Sequence, residues 1–184
     1  YEKYPELFVK TEMLFINGYV NGMRTDIFVD TGAQTTIISK KFAERCNILK
    51  NVDPRYAGTI LGVGTTKSLG RVWQVPLRIA NKDFVMSAIV IEKFSHDILL
   101  GLDMMKMHKC IVDLNENMLR FCASNVNAHF LSDHEVSVIH KRERDRKISL
   151  IVRELGVSNG AAEKLLIKHG MDEDAVLEDG RAKL

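Results

Sequence analysis

The pattern of hydrophobic and polar positions divides the chain into two regions. Residues 8–122 are rich in β-branched and aromatic residues, with turn signals such as the Asn-Gly pairs at 17–18 and 21–22. Short strands at this spacing are typical of all-β sandwiches and barrels. The pattern predicts strands near residues 8–16, 19–29, 35–38, 56–62, 68–80, 83–91, 97–100 and 109–122.

Two short helices are predicted to interrupt these strands. The first follows Ser39, a residue type that caps helices well, and it places Phe42, Ala43 and Cys46 on one face. The second follows Asp103. Both are too short to change the fold class, which remains mostly β.

From about residue 143 the hydrophobic spacing becomes that of a helix. Four apolar residues show it first: Ile148, Ile151, Val152 and Leu155. Gly156 and later Gly170 stand where helices commonly end, and Asp172 can cap a third, short helix. A small three-helix segment is therefore predicted to follow the β domain.

Changes in polarity and in hydrophobic periodicity along the chain predict the domain boundaries. Residues 8–123 are expected to form the β domain, and residues 124–142, which are polar and lack periodicity, a linker. Residues 143–184 are expected to form the helical segment, and residues 1–7 to be the remnant of an upstream region.

The composition is that of an ordinary soluble globular protein, with 46% hydrophobic and 27% charged residues among 184. The net charge of +2 provides no strong field, so neither nucleic acid nor a membrane surface is an expected partner. No apolar run approaches the roughly 18 residues of a membrane span. No basic segment precedes an apolar stretch near the start, so no signal peptide is predicted.

The three cysteines, Cys46, Cys110 and Cys122, are odd in number and have no CxxC spacing. Neither a disulfide framework nor a zinc site is indicated, and free thiols favour a reducing compartment, the cytoplasm or the nucleus. The histidines between residues 129 and 140 are spaced irregularly, so no metal site is expected. No cofactor is predicted.

The sharpest chemical signal is the tetrapeptide Asp-Thr-Gly-Ala at residues 30–33, which follows an apolar strand. Alone it also fits a plain β-turn, since Asp, Thr and Gly are all turn residues. Its sequence context favours the interpretation that the turn carries a catalytic aspartate. A second apolar strand runs into Gly101, and a glycine-rich segment at residues 58–64 lies in a hairpin pattern. Aspartyl proteases need such parts: a carboxylate at a tight turn, a supporting strand and helix, and a deformable flap.

Hydrolysis by this chemistry needs two carboxylates. Two aspartates about 3 Å apart cannot both ionise, so one acts as general base on a water while the other protonates the scissile carbonyl. The chain has one Asp-Thr-Gly and one plausible β domain. A C2 homodimer would supply the second carboxylate, because each Asp30 then meets its symmetry mate.

Over residues 5–122 the chain resembles the retroviral-type aspartyl proteases, and it resembles the eukaryotic DNA-damage-inducible (Ddi-type) proteins, which carry such a domain, more than the viral enzymes. The resemblance lies in residues 28–36 (FVDTGAQTT), 43–48 (AERCNI), 62–65 (GVGT), 70–72 (GRV), 99–104 (LLGLDM) and 110–114 (CIVDL). It implies a retropepsin-like closed, mostly antiparallel β fold and an obligate homodimer.

The resemblance also implies roles for individual residues. Asp30 would be the catalytic carboxylate, and residues 58–66 would form the flap. The turn and the dimer axis would be supported by Thr31, Gly32 and Ala33. The extended polypeptide substrate would contact Gln34, Ile37, Gly62, Val63, Gly64 and Ile98. Gln34 departs from the viral pattern, where an acidic residue is usual, and it predicts a different grip on the peptide.

The family's wider role implies partners in protein turnover: ubiquitin or ubiquitinated proteins and the proteasome. The helical segment resembles a ubiquitin-associated domain, although its 155–157 loop, Leu-Gly-Val, lacks the usual aromatic residue. A helical extension that packs on the protease or is partly disordered is the alternative. For the whole chain, a dimeric adaptor that binds extended segments is the alternative to an endopeptidase.

Overall fold

The computed structural model describes residues 13–60 and 66–182. The chain forms two compact units, one ending at Leu131 and one beginning at Ser132. The first unit is built mainly from strands and the second only from helices.

Within residues 13–60 and 66–131, the first unit contains ten strands and two α-helices. The strands are β1 (Phe15–Val20), β2 (Met23–Val29), β3 (Ile37–Ser39), β4 (Gly58–Ile60), β5 (Thr66–Ile79), β6 (Lys82–Ile91), β7 (Ile98–Leu100), β8 (Cys110–Asp113), β9 (Met118–Phe121) and β10 (Val126–His129). The helices are α1 (Lys40–Arg45) and α2 (Leu102–Met107), and two 3₁₀ turns lie between α1 and β4.

Six of these strands close on themselves. They follow the order β1-β2-β7-β3-β6-β5, and β5 pairs again with β1, while β4 extends β5 as a hairpin arm. The β2–β7 and β3–β6 pairs are parallel and the other described pairs are antiparallel. The prediction of a closed, mostly antiparallel β fold is confirmed.

The barrel interior follows from period-two alternation. In β2, Thr25, Ile27 and Val29 are buried while the intervening residues are partly exposed, so one face of the strand supplies the core. Phe42 and Ala43 of α1 close the core from one side, as predicted, and Ser39 accepts a hydrogen bond from the Phe42 N–H as the helix cap.

The first hairpin turns later than the pattern suggested. β1 and β2 are joined at Asn21 and Gly22, whose φ angles of 46° and 82° suit the type I′ turns that match strand twist. The Asn-Gly pair at 17–18 lies inside β1 instead, because Gly18 is packed against the Ile27 side chain where a larger residue would collide. The same Asn-Gly dipeptide is thus part of a strand at 17–18 and a turn at 21–22, because its tertiary contacts differ.

Two further expectations differ from the structure. The strand expected over residues 109–122 is two strands, β8 and β9, joined by a turn in which Asn117 has a φ of 52°. The expected linker at 124–142 contains β10, which pairs with β9, and the beginning of a helix. The missed helix signal is a capping box, Ser132 with Glu135 three residues later.

Up to residue 182, the second unit contains three helices, α3 (Asp133–Leu155), α4 (Asn159–Lys168) and α5 (Glu173–Arg181). α3 ends at Gly156 in the left-handed conformation, and the Asp172 carboxylate caps α5, both as predicted. Their shared core contains Ile151, Ala162, Leu166, Val176 and Leu177. Ubiquitin binding by this unit stays a prediction. Across the described residues, no helix combines the length and apolarity that a membrane crossing requires.

His108, just after α2, makes the stability of the first unit sensitive to pH. Its ring packs edge-on against Phe84 with centroids 4.9 Å apart, and its buried Nε2 has no hydrogen-bond partner among the described residues. Burial lowers the pKa of His108 below its ordinary value of 6.5. The unfolded chain therefore takes up this proton at a higher pH than the folded chain does.

We expect the free energy of unfolding to fall as the pH drops below about 6.5, since protonating His108 favours the unfolded state. His108→Phe should flatten this dependence between about pH 7.5 and pH 5.5, as measured by urea denaturation. His129→Phe, which changes an exposed histidine, is the control. Equal pH dependence in wild type and His108→Phe would contradict the assignment.

Candidate active site

Asp30 lies one residue beyond β2, where two parallel strands end together. Val29 is paired with Leu100 at the end of β7, and the Asp30 N–H donates a hydrogen bond to the Leu100 carbonyl at 3.2 Å. The backbone of Asp30 is therefore held by a strand from a distant part of the chain, while its side chain stays partly exposed.

The turn after Asp30 is closed by the carboxylate itself. The Gly32 N–H donates to Asp30 Oδ1 at 2.8 Å, and the Ala33 N–H donates to the Asp30 carbonyl at 3.3 Å. A Cβ at position 32 would lie 3.1 Å from Oδ1, so glycine leaves room for this contact. Thr31 and Gly32 are exposed, which places the carboxylate at the surface of a single chain.

A buried polar network braces the segment that follows the turn. Thr36, with no exposed surface, donates its N–H to both carboxylate oxygens of Asp103, at 2.9 and 3.0 Å, and its hydroxyl to Oδ1 at 2.7 Å. The Thr36 hydroxyl also accepts the Gly101 N–H at 3.1 Å. This single carboxylate satisfies the buried donors of Thr36, as a buried segment requires.

The start of α2 packs closely against the same segment. The Leu102 N–H donates to the Ala33 carbonyl at 2.8 Å, and the Asp103 N–H donates to the Gln34 carbonyl at 3.1 Å. A Cβ at Gly101 would lie 2.5 to 2.8 Å from backbone atoms of Thr35 and Thr36. The predicted support by a strand, a glycine and a short helix is therefore present.

A small apolar cluster borders the Asp30 turn. Its buried members are Ile37, Ile91 and Leu99, and the partly buried residues packed on it are Phe28, Ala33, Ile89 and Phe94. Phe28 precedes Asp30 by two residues and Ala33 follows it by three, so the cluster flanks the turn on both sides. We refer to these seven residues as the flanking cluster.

The residues predicted to contact substrate do not all lie at one surface. Ile37 belongs to the flanking cluster, and Gln34 is exposed next to it in sequence. Ile98 has no exposed surface and belongs to the barrel core, so its side chain faces the interior. Leu99, one residue on, lies in the flanking cluster because successive residues of a strand point to opposite faces. Ile37 pairs with Leu99 across neighbouring strands, so the two side chains lie on the same face of the sheet. This pairing was the signal that could have identified Leu99 in place of Ile98.

Gly62, Val63 and Gly64, predicted to lie in the flap, are outside the described residues. The arms of the hairpin are described: Gly58–Ile60 pairs with residues 66–68 of β5. Its base is held where Asp53 and Arg71 exchange backbone hydrogen bonds of 2.8 and 3.2 Å. The side-chain hydrogen bond from Arg55 holds the pKa of the Asp53 carboxyl below its ordinary value. The base of this hairpin is thus fixed on the barrel.

Two of the three cysteines, Cys46 and Cys110, have the character of packing residues, while Cys122 is exposed. Burial raises the pKa of the Cys46 thiol to about 11 and that of the Cys110 thiol to about 12. Neither forms a thiolate near neutral pH, so neither is a nucleophile candidate. Asp30 is left as the candidate catalytic group of this site.

Comparisons with known proteins agree with this geometry. Residues 5–113 match the family profile described as aspartyl protease. The protein DNA-DAMAGE INDUCIBLE 1 of Arabidopsis thaliana is 41% identical over 135 residues, which are 73% of this chain and 33% of that protein. The DNA damage-inducible protein 1 of Cryptococcus neoformans is 41% identical over 160 residues, 87% of this chain and 36% of that protein.

Among solved structures, the retroviral protease-like domain of Ddi1 from Leishmania major superimposes with a TM-score of 0.61. It is 35% identical and covers 67% of this chain and 98% of that domain. The chain spans about a third of the length of the curated relatives it matches.

Proposed function

Because this chain belongs to the aspartyl protease family, we propose that it is an aspartic endopeptidase that works as a homodimer, with Asp30 of each subunit supplying one of two catalytic carboxylates. The observation that carries the proposal is the Asp30 turn. Its carboxylate is fixed by the Gly32 N–H and stays at the surface, where a second carboxylate and a peptide can reach it.

In the proposed reaction, one Asp30 carboxylate removes a proton from a water molecule as that water attacks the scissile carbonyl carbon. The protonated Asp30 of the partner subunit donates its proton to the carbonyl oxygen. The C–N bond of the resulting tetrahedral intermediate then breaks, as the carboxyl that took the water proton passes it to the leaving nitrogen and the other carboxylate takes back a hydroxyl proton. The Gly32 N–H orients Asp30 through Oδ1 and leaves Oδ2 for the water. The flanking cluster provides an apolar wall for extended peptide beside this centre.

The dimer contact is supported by the edge strand β8. In the order β10-β9-β8, one side of β8 carries no partner strand among the described residues, and Ile111 at its centre is 52% exposed. Met107 before the strand and Leu114 after it are also exposed. An exposed apolar edge is favourable for pairing with another chain, and a second copy would cover it symmetrically.

Ile111→Asp is expected to weaken the dimer at least about tenfold, because each charge would be desolvated beside its symmetry mate. Sedimentation velocity over a concentration series measures this, and specific cleavage should fall in parallel at low protein concentration. Val85→Asp, at a residue 60% exposed on β6, is the matched control. A dimer of wild-type strength in Ile111→Asp would remove β8 from the interface.

The proposed function is tested by incubating the full chain with a library of unstructured peptides between pH 4 and pH 8 and identifying cut sites by mass spectrometry. Cleavage is expected to be strongest below neutrality, since the shared proton is lost as the pH rises. Binding without cleavage at every pH would instead support a dimeric adaptor for extended segments. The proposal also includes ubiquitin or ubiquitinated proteins and the proteasome as partners of the protein, and the cytoplasm as its location.

A further inference from the structure

One row of directly paired residues crosses five strands of the barrel. Phe28 of β2 is paired with Leu99 of β7, which is also paired with Ile37 of β3. Ile37 is paired in turn with Ile89 of β6, and Ile89 with Arg71 of β5. Directly paired residues lie on the same face of a sheet, so Arg71 shares the face that carries the flanking cluster.

This row leads from the Asp30 turn to a cation. Its first four members are apolar and belong to the flanking cluster, and Phe28 stands two residues before Asp30. Four spacings of about 4.8 Å between neighbouring strands separate Phe28 from Arg71, about 19 Å along the row. An extended peptide spans that distance with about six residues. A peptide that follows the row from Asp30 would therefore reach Arg71.

Neighbouring side chains hold the Arg71 guanidinium in one position. Its Nη1 donates a hydrogen bond to the Ser87 hydroxyl at 2.9 Å, and the guanidinium lies over the Trp73 ring, 5.3 Å from the centroid. The Trp73 ring is itself packed edge-on against Tyr56, with centroids 5.4 Å apart. A planar cation fixed in this way loses little side-chain entropy when it binds an anion, so the geometry favours recognition.

Within residues 13–60 and 66–182, no carboxylate pairs with Arg71, which is partly exposed. Asp53 exchanges backbone hydrogen bonds with Arg71, but its carboxylate is bound by the Arg55 guanidinium, with contacts of 2.7 to 3.2 Å. A guanidinium has five N–H donors, and Ser87 accepts one of them. The charge of Arg71 and its other donors can therefore serve a ligand.

We propose that Arg71 is a specificity-determining residue of the peptide groove, which favours aspartate or glutamate at one substrate position within about six residues of the cleaved bond. The inference rests on the proposed function, because it assumes that substrate follows the flanking cluster from Asp30. A carboxylate can accept two parallel hydrogen bonds from a guanidinium and carries the opposite charge. An uncharged carboxamide of the same shape lacks that charge, so the two should be distinguished.

The test compares kcat/KM at pH 6 for peptides that carry glutamate or glutamine at each of six positions on either side of one cut site. Glutamate is ionised at this pH. In the wild type, the Glu-to-Gln ratio should be raised at one position. Arg71→Gln should lower the ratio there by about three- to tenfold, between the effects of an exposed ion pair and of a charge-assisted hydrogen bond. Arg71→Lys, which keeps the charge but not the planar fork, should restore part of the ratio.

Arg78→Gln is the matched control, because it removes the same charge from the same strand at a side chain that is paired with Asp83. It should leave every ratio unchanged. An equal fall of the ratio in Arg78→Gln would indicate a diffuse effect of net charge and would overturn the proposal. So would Arg71→Gln lowering the cleavage of all peptides equally, as a merely structural role predicts.

The wild-type chain provides a measurement that does not depend on how a variant folds. Raising the salt concentration from 0.05 to 0.5 M should lower the Glu-to-Gln ratio at that one position at least about twofold, since screening weakens a partly exposed ion pair. If no position favours glutamate in the wild type, or if the ratio is insensitive to salt, the inference is wrong.

A binding measurement separates this inference from the proposed function. Fluorescence anisotropy reports binding of the same labelled peptides to Asp30→Asn and to Asp30→Asn combined with Arg71→Gln. If no peptide is cut but the Arg71-dependent binding ratio appears, the endopeptidase proposal fails and the inference stands. If peptides are cut without any Arg71-dependent ratio, the inference alone fails. If no peptide is bound or cut, both are overturned.

Discussion

Replacing Asp30 with asparagine is expected to lower kcat/KM for peptide cleavage about a thousandfold or more. The amide can neither take a proton from water nor give one to the carbonyl oxygen, and general acid–base catalysis by one such group contributes about 10²- to 10⁴-fold. The fold should survive, because the asparagine side-chain oxygen can still accept the Gly32 N–H that now bonds to Oδ1.

The same variant tests whether the site is shared between chains. When wild type is mixed with an equal amount of Asp30→Asn and the subunits exchange, about half of the wild-type subunits should be in mixed dimers. Activity per wild-type subunit should then fall to about half, as measured with a fluorogenic peptide. Unchanged activity per wild-type subunit would mean that one chain is sufficient, and the paired-carboxylate mechanism would be wrong.

Gly101→Ala is expected to destabilise the first unit by about 2–4 kcal/mol and to abolish most of the cleavage. The added methyl would lie 2.5 Å from the carbonyl carbon of Thr35 and 2.8 Å from the Thr36 nitrogen. Both are backbone atoms, so no rotamer change relieves the collision. Separation of these segments would also weaken the Thr36–Asp103 hydrogen bonds that brace the Asp30 turn.

Gly58→Ala is the matched control, because a Cβ there meets nothing within 4 Å and lies in the same unit. Its free energy of unfolding should stay within about 0.5 kcal/mol of wild type, as measured by urea denaturation. A Gly101→Ala protein of wild-type stability would show that this packing is not needed at the site.

The helix caps were open to prediction because their signals are local. Ser39, Gly156 and Asp172 act within one turn of their own position, and each caps its helix as expected. The Asp-Thr-Gly turn was found in the same way. Its resemblance to a family supplied the closed barrel, which local patterns alone left undecided between a sandwich and a barrel.

The features that the sequence did not reveal depend on contacts between different segments of the chain. Ile98 and Leu99 are equally apolar, and only the pairing of β7 between β2 and β3 decides that Ile98 enters the core. The Asp103 carboxylate gave no signal of its partner, because Thr36 is 67 residues away. Likewise β10 is too short and polar to be distinguished from a linker without β9 beside it.

The position of β7 between β2 and β3 also determines when the Asp30 turn can form during protein synthesis. The Asp30 turn lies between β2 and β3, yet its backbone hydrogen bond is to Leu100, and Thr36 is held by hydrogen bonds to Asp103. A nascent chain that has not yet released residues 100–103 from the ribosome cannot complete this turn. Under the proposed function, peptide cleavage would therefore begin only after these residues have emerged and the barrel can close.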